Sequence, residues 1–247
     1  MSTPLYYLHH AKPYSDSWLS ATKYRITTSH MLRIMDYYTE QRTLEELALE
    51  IVGDITSPLI NDALLWNREH AEQARQAHAS FHPDNTRIQP GLIVNGTHPW
   101  LCHTPDDLTW SSEGVGITVY KAPYSKTIPR EPLPAHELQL CYAGAICEWS
   151  RPHIDYVVWT PSASAIKHYT PDTILVAREN ITLRGLWDNY MLPRLLHFHS
   201  TILQPLLATR NLAEVPVHSC PSDEYVAVRD ASIPLASLAN EATAFTS

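Results

Sequence analysis

An acidic turn and a strand that ends in lysine carry the residue types best suited to chemistry in this sequence. The turn reads Pro105-Asp106-Asp107, and the segment ITVYK, ending at Lys121, follows it. A carboxylate oxygen is a hard ligand for Mg²⁺, and a lysine beside a metal can orient or deprotonate a water. A second acid is missing, because position 119 is Val119 and no Asp or Glu occurs from 114 to 130. The alternative is that these are a turn between strands and a solvated strand-end charge.

The hydrophobic pattern around these residues predicts helices on both sides of a central sheet. Thr28 and Ser29 are suited to begin one helix, and another apolar stripe ends at Gly53, a residue type that often follows a helix. Short apolar runs broken by turn residues predict strands from about position 90 onward. A long final helix is predicted from Leu183 to Leu207, bent near Pro193. This order indicates an α/β or α+β fold with a central mixed sheet.

The chain is long and apolar enough to form one domain. It has 247 residues, of which 44% are hydrophobic, sufficient for a sizeable core. We divide it into an N-terminal arm (1–17), a single domain (18–208) and a loosely packed, Ala-, Ser- and Pro-rich tail (209–247). Large aromatic side chains usually anchor a core. We expect this of the tryptophans, which include Trp18, Trp66, Trp100, Trp149, Trp159 and Trp187.

Charge and cysteine content limit the kinds of partner and the cellular compartment that we expect for the chain. A formal net charge of -8 and a pI near 5.9 argue against coating nucleic acid with the whole surface, although a local basic groove is compatible with them. The four cysteines form no CxxC pair and are expected to be reduced thiols. With no apolar signal segment and no run long enough to span a membrane, we expect a soluble intracellular protein, in the host cytoplasm or nucleus if viral.

Six segments, in order, resemble the lambda-type exonucleases and their viral alkaline exonuclease relatives, the YqaJ-like recombinases of the PD-(D/E)XK superfamily. The Pro-Asp turn is similar to the family's Ser-Pro-Asp-Gly, and ITVYK to its Leu-Glu-Ile-Lys strand. The other four are RITTSHM (25–31), LLWNREHAEQAR (64–75), ELQLCYAGAI (137–146) and IDYVVWTP (154–161). The resemblance covers about residues 18 to 207. It implies a restriction-endonuclease-like core that acts on DNA with Mg²⁺.

The resemblance also assigns roles to single residues. Asp106 matches the first metal-binding acid, Lys121 the lysine that acts on the water, and Gln139 the remaining member of a Gln-x-Gln pair. Val119 stands where the family has its second acid, and Ala71 where it has a helix glutamate. A lone carboxylate seldom holds Mg²⁺, which prefers more charge. We therefore expect impaired catalysis, with the side chain at 119 filling the former metal pocket.

Other acids provide the alternative of a migrated ligand. Glu72, Glu137 or Asp107 could turn toward Asp106 and restore Mg²⁺ binding. We expect Asp106, Lys121 and Gln139 to cluster at one end of the sheet, beside the helix from Leu64 to Ser80, with Trp66 facing inward.

Three further residues match the part of the family's site that approaches a 5′-phosphate. Ser29 and Thr104 match its hydroxyl positions, and Arg25 opens the same segment as Ser29. For Ser29 the alternative is a helix cap.

Three functions remain open at this stage. The first is a nuclease-fold protein with impaired catalysis, retained for binding duplex DNA ends or for assembly, including with copies of itself. The second is an active Mg²⁺-dependent 5′-to-3′ exonuclease that uses a migrated acid. The third is a structural or interaction module that does not bind nucleic acid, for which the acidic surface is suited.

Overall fold

A computed structural model describes residues 6–9, 12–13, 15–35, 43–55, 62–111, 114–147, 153–176, 180–212 and 225–228. The helices are α1 (Asp16–Thr22), α2 (Thr28–Ile34), α3 (Leu44–Val52), α4 (Asp62–Glu69), α5 (Ala71–Phe81), α6 (Pro134–Ile146), α7 (Leu183–Leu186), α8 (Leu192–Phe198) and α9 (Gln204–Ala208). Two π-helical segments, Trp187–Met191 and His199–Leu203, join the last three helices into one continuous helical run.

Within the described ranges, the strands form three sheets. They are β1 (Tyr6–His9), β2 (Thr86–Ile88), β3 (Leu92–Asn95), β4 (Cys102–His103), β5 (Asp107–Ser111), β6 (Gly114–Lys121), β7 (Ile154–Thr160), β8 (Ala163–Tyr169), β9 (Ile174–Val176), β10 (Ile181–Thr182) and β11 (Tyr225–Val228). The largest sheet has the order β2-β5-β6-β7-β8, the second has β11-β1-β3-β4, and β9 pairs with β10.

The parallel pair at the centre of the five-stranded sheet determines the layout of the domain. Strands β6 and β7 run parallel, whereas the other pairs in this sheet are antiparallel. Parallel neighbours need a crossover connection, and α6 lies in the connection between β6 and β7. The register places Val119 opposite Tyr156 and Lys121 opposite Val158.

Side chains on β6 alternate between two faces of the sheet, as strand geometry requires. Ile117 and Val119 belong to the main apolar core, which also includes buried residues of α2, α3, α6 and the C-terminal helical run. Tyr120 points to the other face, where it packs with Ala74 of α5 and Val157 of β7. The sheet therefore has an α6 face and an α5 face, and Lys121 follows Val119 on the α6 face.

The expected α+β class with a central mixed sheet is confirmed. Helix α3 ends at Gly53, which adopts the left-handed φ of 87°, as predicted. Helix α2 begins one residue earlier than expected, with Thr27 as its N-cap. The predicted long C-terminal helix is continuous, and Pro193 lies in the first turn of α8, just after the first π-helical segment.

Other sequence-based expectations concern the ends of the chain, the cysteines and the membrane. One strand from the predicted arm, β1, and one from the predicted tail, β11, pair with each other in the second sheet. Cys102, Cys141 and Cys147 are buried free thiols, as predicted, while Cys220 and Trp149 lie outside the described residues. Within the described ranges, no helix has both the length and the apolar character needed to cross a membrane.

Gly116 on β6 makes room for the His153 imidazole, and replacing it tests this packing. A Cβ at position 116 would lie 2.3 Å from Nε2 of His153, a residue only 8% exposed. Gly116→Ala should therefore lower the free energy of unfolding by about 1–3 kcal/mol in a denaturant titration. The double variant Gly116→Ala/His153→Ala should lose less than the sum of the two single losses. Additive losses would contradict the steric explanation.

Candidate functional site

The acidic turn is held against the end of β6 by a backbone hydrogen bond. The amide of Tyr120 donates to Oδ2 of Asp106 at 2.8 Å, which places this carboxylate beside the residue that precedes Lys121. Burial raises the pKa of Asp106, and the positive charge of Lys121 partly opposes that shift. Asp106 and Lys121 therefore lie close enough to interact electrostatically, as the sequence pattern suggests.

Lys121 is the centre of a cluster that sequence reasoning did not find. Burial lowers the pKa of Lys121, and Asp106 opposes this. Burial, followed by the charge of Lys121, lowers the pKa of His103 to about 3 and of His136 to about 3. Both imidazoles are therefore neutral at pH 7. We call Asp106, Lys121, His103 and His136 the Asp106 site.

Hydrogen bonds orient the two imidazoles. Nδ1 of His103 lies 2.8 Å from Oγ1 of Thr28 at the start of α2, and Nδ1 of His136 lies 2.7 Å from the hydroxyl of Tyr156. His103 is 6% exposed, and its Nε2 has no hydrogen-bond partner among the residues that the structure describes. A buried polar atom without a partner is costly, so this nitrogen is available to a ligand.

Gln139 lies on the same helix as His136, one turn further along. Helix α6 packs against β6, and residues three positions apart on a helix lie on neighbouring parts of one face. The Oε1 atom of Gln139 is buried, and within the described residues it has no hydrogen-bond partner. His136 could have been found from the sequence because it lies three residues before Gln139 on the same helix. His103 could have been found because it lies three residues before Asp106.

Val119 lies two residues before Lys121, on the same face of β6. It is 5% exposed and belongs to the main core. An apolar side chain cannot bind a metal ion, so this position contributes no ligand to the Asp106 site.

Asp107 points to the α5 face and is fully engaged there. Nε of Arg75 donates to its two carboxylate oxygens at 3.2 and 3.0 Å, and the hydroxyl of Tyr120 donates to Oδ2 at 2.7 Å. Arg75 also pairs with Glu72, at 2.7 Å. These contacts give Asp107 a structural role and hold the Glu72 carboxylate, 59% exposed, beside Arg75.

Glu137, the third alternative acid, lies in the first turn of α6. Burial raises the pKa of Tyr169 on β8 to about 12, and the charges of Glu131 and Glu137 add to that shift. The charge of Glu137 therefore acts on Tyr169 as well.

The structure gives the three residues expected at a phosphate different surroundings. Arg25 is completely buried, and its guanidinium donates to the carbonyls of Ala21 and Pro99. The expected phosphate contact of Arg25 is therefore not seen, because its guanidinium is buried and hydrogen-bonded to backbone carbonyls of α1 and of the segment before β4. Oγ of the exposed Ser29 lies 3.0 Å from Oγ1 of Thr27. Its neighbour Thr28 is the residue that contacts the Asp106 site, through His103.

Thr104 is also tied to the fold. Its Oγ1 accepts a hydrogen bond from Nε1 of Trp18, at 3.0 Å. The side chain keeps some exposed surface, so a second hydrogen bond from the hydroxyl to a ligand remains sterically open.

The side chains of the Asp106 site do not fit Mg²⁺. This ion requires hard oxygen ligands in near-octahedral geometry. Beside the carboxylate of Asp106 the cluster offers an ammonium and two imidazoles, and the neighbouring Asp107 carboxylate is occupied by Arg75 and Tyr120. Among the described residues, no group of three His, Cys, Asp or Glu side chains has the arrangement of a metal site.

A second titratable cluster occupies the α5 face. The buried Asp155 carboxylate lies 2.7 Å from Nδ1 of His168, 3.3 Å from Nε2 of His78 and 3.7 Å from Nε2 of His153. His78 continues through Nδ1 to the hydroxyl of Tyr120, at 3.2 Å. The network therefore connects Asp155 to the strand that carries Lys121. Its partners hold the pKa of Asp155 below the usual value, despite burial, which acts in the opposite direction.

Comparison with solved structures identifies the fold. The chain is similar to the alkaline exonuclease LHK-Exo from Laribacter hongkongensis, with a TM-score of 0.56 and 18% identity over 81% of this chain and 100% of that one. A second structure of LHK-Exo, in complex with dAMP, gives a TM-score of 0.57 over 80% and 98% of the two chains. No protein-family profile and no curated protein sequence matches the chain. The likeness shows a shared fold, a central mixed sheet flanked by helices.

The lowered pKa of Asp155 predicts a pH-dependent contribution to stability. A carboxyl with a folded-state pKa below its unfolded value of 3.8 stabilises the fold above that pH. This stabilisation is lost as the pH falls through the folded-state pKa. Asp155→Asn should therefore cost about 1–3 kcal/mol at pH 7, and the difference from the unmodified protein should shrink below pH 4.

Denaturant titrations at pH 7 and pH 3 measure this difference. The control is Asp54→Asn, because Asp54 forms a surface pair with Arg210 and exposed pairs contribute little. An Asp155→Asn loss of the same size at both pH values would contradict the assignment.

Proposed function

We propose that this chain is a YqaJ-like relative of the viral recombination exonucleases that binds duplex DNA ends and lacks the two-carboxylate route to Mg²⁺-dependent cleavage. The observation that carries this proposal is Val119. It lies on the α6 face of β6, buried in the core, two residues before Lys121. At that position the resemblance calls for an acid. Metal-assisted hydrolysis in such sites needs charge from more than Asp106 alone.

The Asp106 site is better suited to a phosphate than to a cation. Lys121 supplies an ammonium, and Nε2 of His103 is a buried atom able to donate a hydrogen bond in one tautomer. The carboxylate of Asp106 would repel a phosphate. Burial raises its pKa, however, so this group takes up a proton more readily than an exposed aspartate when an anion approaches.

The similarity to LHK-Exo supports a nucleotide as the source of that phosphate, since one structure of that enzyme contains dAMP. A DNA end presents the same group. In this reading Lys121 and His103 hold the terminal phosphate, while Thr28 orients the His103 ring. No step of bond cleavage is assigned to these side chains.

The active-exonuclease alternative requires Glu72 or Glu137 to reach Asp106. The pairing of Glu72 with Arg75 opposes movement of the Glu72 carboxylate. A module that does not bind nucleic acid is tested in the same experiment.

Restoring the missing acid tests the proposal. In EDTA the unmodified protein should shift 5′-phosphorylated duplex DNA in a salt-dependent manner, and it should not cleave that DNA when Mg²⁺ is added. Val119→Glu should melt at a lower temperature without metal, because a second carboxylate beside Asp106 adds like-charge repulsion. Adding Mg²⁺ at 100 times its Kd should then return about 2.7 kcal/mol of stability.

Val119→Gln is the matched control, since it has a similar size without the charge. It should melt lower and show no recovery with Mg²⁺. Cleavage by the unmodified protein that disappears in Glu72→Gln or Glu137→Gln would instead establish the migrated-acid enzyme. Absence of a DNA shift at low salt would favour the module that does not bind nucleic acid.

A further inference from the structure

Three aromatic rings form a partly exposed stack beside the α5 face of the sheet, near the end of β6. The rings of Trp66 and His70 have centroids 3.8 Å apart and are inclined by 26°. The ring of His70 lies 5.4 Å from that of Trp159, inclined by 22°. We call Trp66, His70 and Trp159 the aromatic stack. Its members come from α4, the turn before α5, and β7.

Local contacts hold the stack in place. Nδ1 of His70 lies 2.8 Å from the carbonyl oxygen of Trp66, and a carbonyl only accepts, so Nδ1 carries the proton and donates. Trp159 packs against the buried cluster of Ala74, Tyr120 and Val157. The stack is therefore preorganised, which reduces the entropy cost of binding a ligand.

These two tryptophans differ from those of the core. Trp110 and Trp187 are 9% and 6% exposed and belong to the main core, whereas Trp66 and Trp159 keep partial exposure. The expectation that every tryptophan anchors the core was therefore wrong for Trp66, which stacks at the protein surface. Parallel ring stacking at a surface is the arrangement that proteins use for unpaired bases.

A lysine covers one face of Trp66. Nζ of Lys126 lies 4.8 Å from the Trp66 ring centroid, and the ring of Tyr124 meets Trp66 edge-on at 6.2 Å. Lys126 and Tyr124 are exposed. A long, exposed lysine side chain can leave the ring face at small cost. Its ammonium would then pair with the phosphate of a nucleotide whose base takes its place.

The stack is also joined to the Asp106 site. Oδ1 of Asn67, the residue after Trp66, accepts a hydrogen bond from the amide of Ala122 at 2.8 Å. Ala122 directly follows Lys121, and the segment that carries Tyr124 and Lys126 continues from it. A strand whose terminal phosphate lies at Lys121 would therefore reach the stack by passing around the end of β6, where Lys121 and Ala122 lie.

The geometry points to the aromatic stack as a binding site for an unpaired base of single-stranded nucleic acid, with Trp66 as the stacking surface and Lys126 as the phosphate contact. This inference rests on the proposed function, because it takes the Asp106 site as the place where the DNA end is bound. The aromatic stack would add a preference for DNA ends that carry an unpaired base, which the Asp106 site alone does not provide. Base stacking on an aromatic ring is tolerant of sequence, so any unpaired base should be accepted.

Binding of DNA ends with and without bases tests this inference. The probe is a fluorescently labelled, 5′-phosphorylated duplex with a short single-stranded extension of either thymidines or abasic residues, followed by anisotropy in EDTA. The unmodified protein should bind the thymidine extension at least about fivefold more tightly than the abasic one. Trp66→Ala should remove this preference, and Trp66→Phe should keep most of it.

Phe81→Ala is the matched control. Phe81 is 55% exposed at the end of α5 and should leave the preference unchanged. Equal affinity of the unmodified protein for both extensions would overturn the inference, as would a preference that persists in Trp66→Ala. If the melting curve shows that Trp66→Ala does not fold, the inference is tested by comparing the affinities of the unmodified protein and of Trp66→Phe for the thymidine and abasic extensions.

The result for a blunt phosphorylated duplex separates the two proposals. If the protein binds the blunt duplex, and also binds the thymidine and abasic extensions with equal affinity, the base site is refuted and the proposal of end binding stands. No binding of either duplex would refute end binding and, with it, the base site.

Discussion

The buried contact of Asp107 with Arg75 and Tyr120 determines where the rest of the site can lie. Asp107 and Tyr120 each adjoin a residue of the Asp106 site, since Asp106 precedes Asp107 and Lys121 follows Tyr120. Because side chains alternate along a strand, fixing Asp107 and Tyr120 on the α5 face directs Lys121 to the α6 face. The amide of Tyr120 then holds the carboxylate of Asp106. One charge-assisted contact therefore positions both residues of the acidic turn and the lysine strand.

Much of this fold was predictable from sequence, but the surroundings of the key lysine were not. Hydrophobic periodicity and end signals such as Gly53 indicated the helices and the mixed sheet, because these depend on local patterns. The proximity of Asp106 to Lys121 followed from the resemblance. His103 and His136 come from separate elements and meet Lys121 only through tertiary packing. Burial of Arg25 was equally hidden, since its partners are backbone carbonyls, which a residue pattern does not reveal.

The two faces of the central sheet have different electrostatic characters. On the α5 face, Asp107 and Asp155 have cationic or protonatable partners that oppose the effect of burial on their pKa values, and at Asp155 these partners outweigh burial. On the α6 face, Lys121 has a single acid and two neutral imidazoles, and Val119 adds apolar surface. A catalytic metal site requires the opposite balance, with excess negative charge. The central sheet is thus held by apolar packing on the α6 face and by the hydrogen-bonded network on the α5 face.

The most direct test of this account is a crystal structure with 5′-phosphorylated DNA and Mn²⁺, whose anomalous scattering identifies the metal. The account predicts a terminal phosphate within hydrogen-bond distance of Nζ of Lys121 and no Mn²⁺ peak beside Asp106. A Mn²⁺ ion coordinated by Asp106 together with the carboxylate of Glu72 or Glu137 would contradict it.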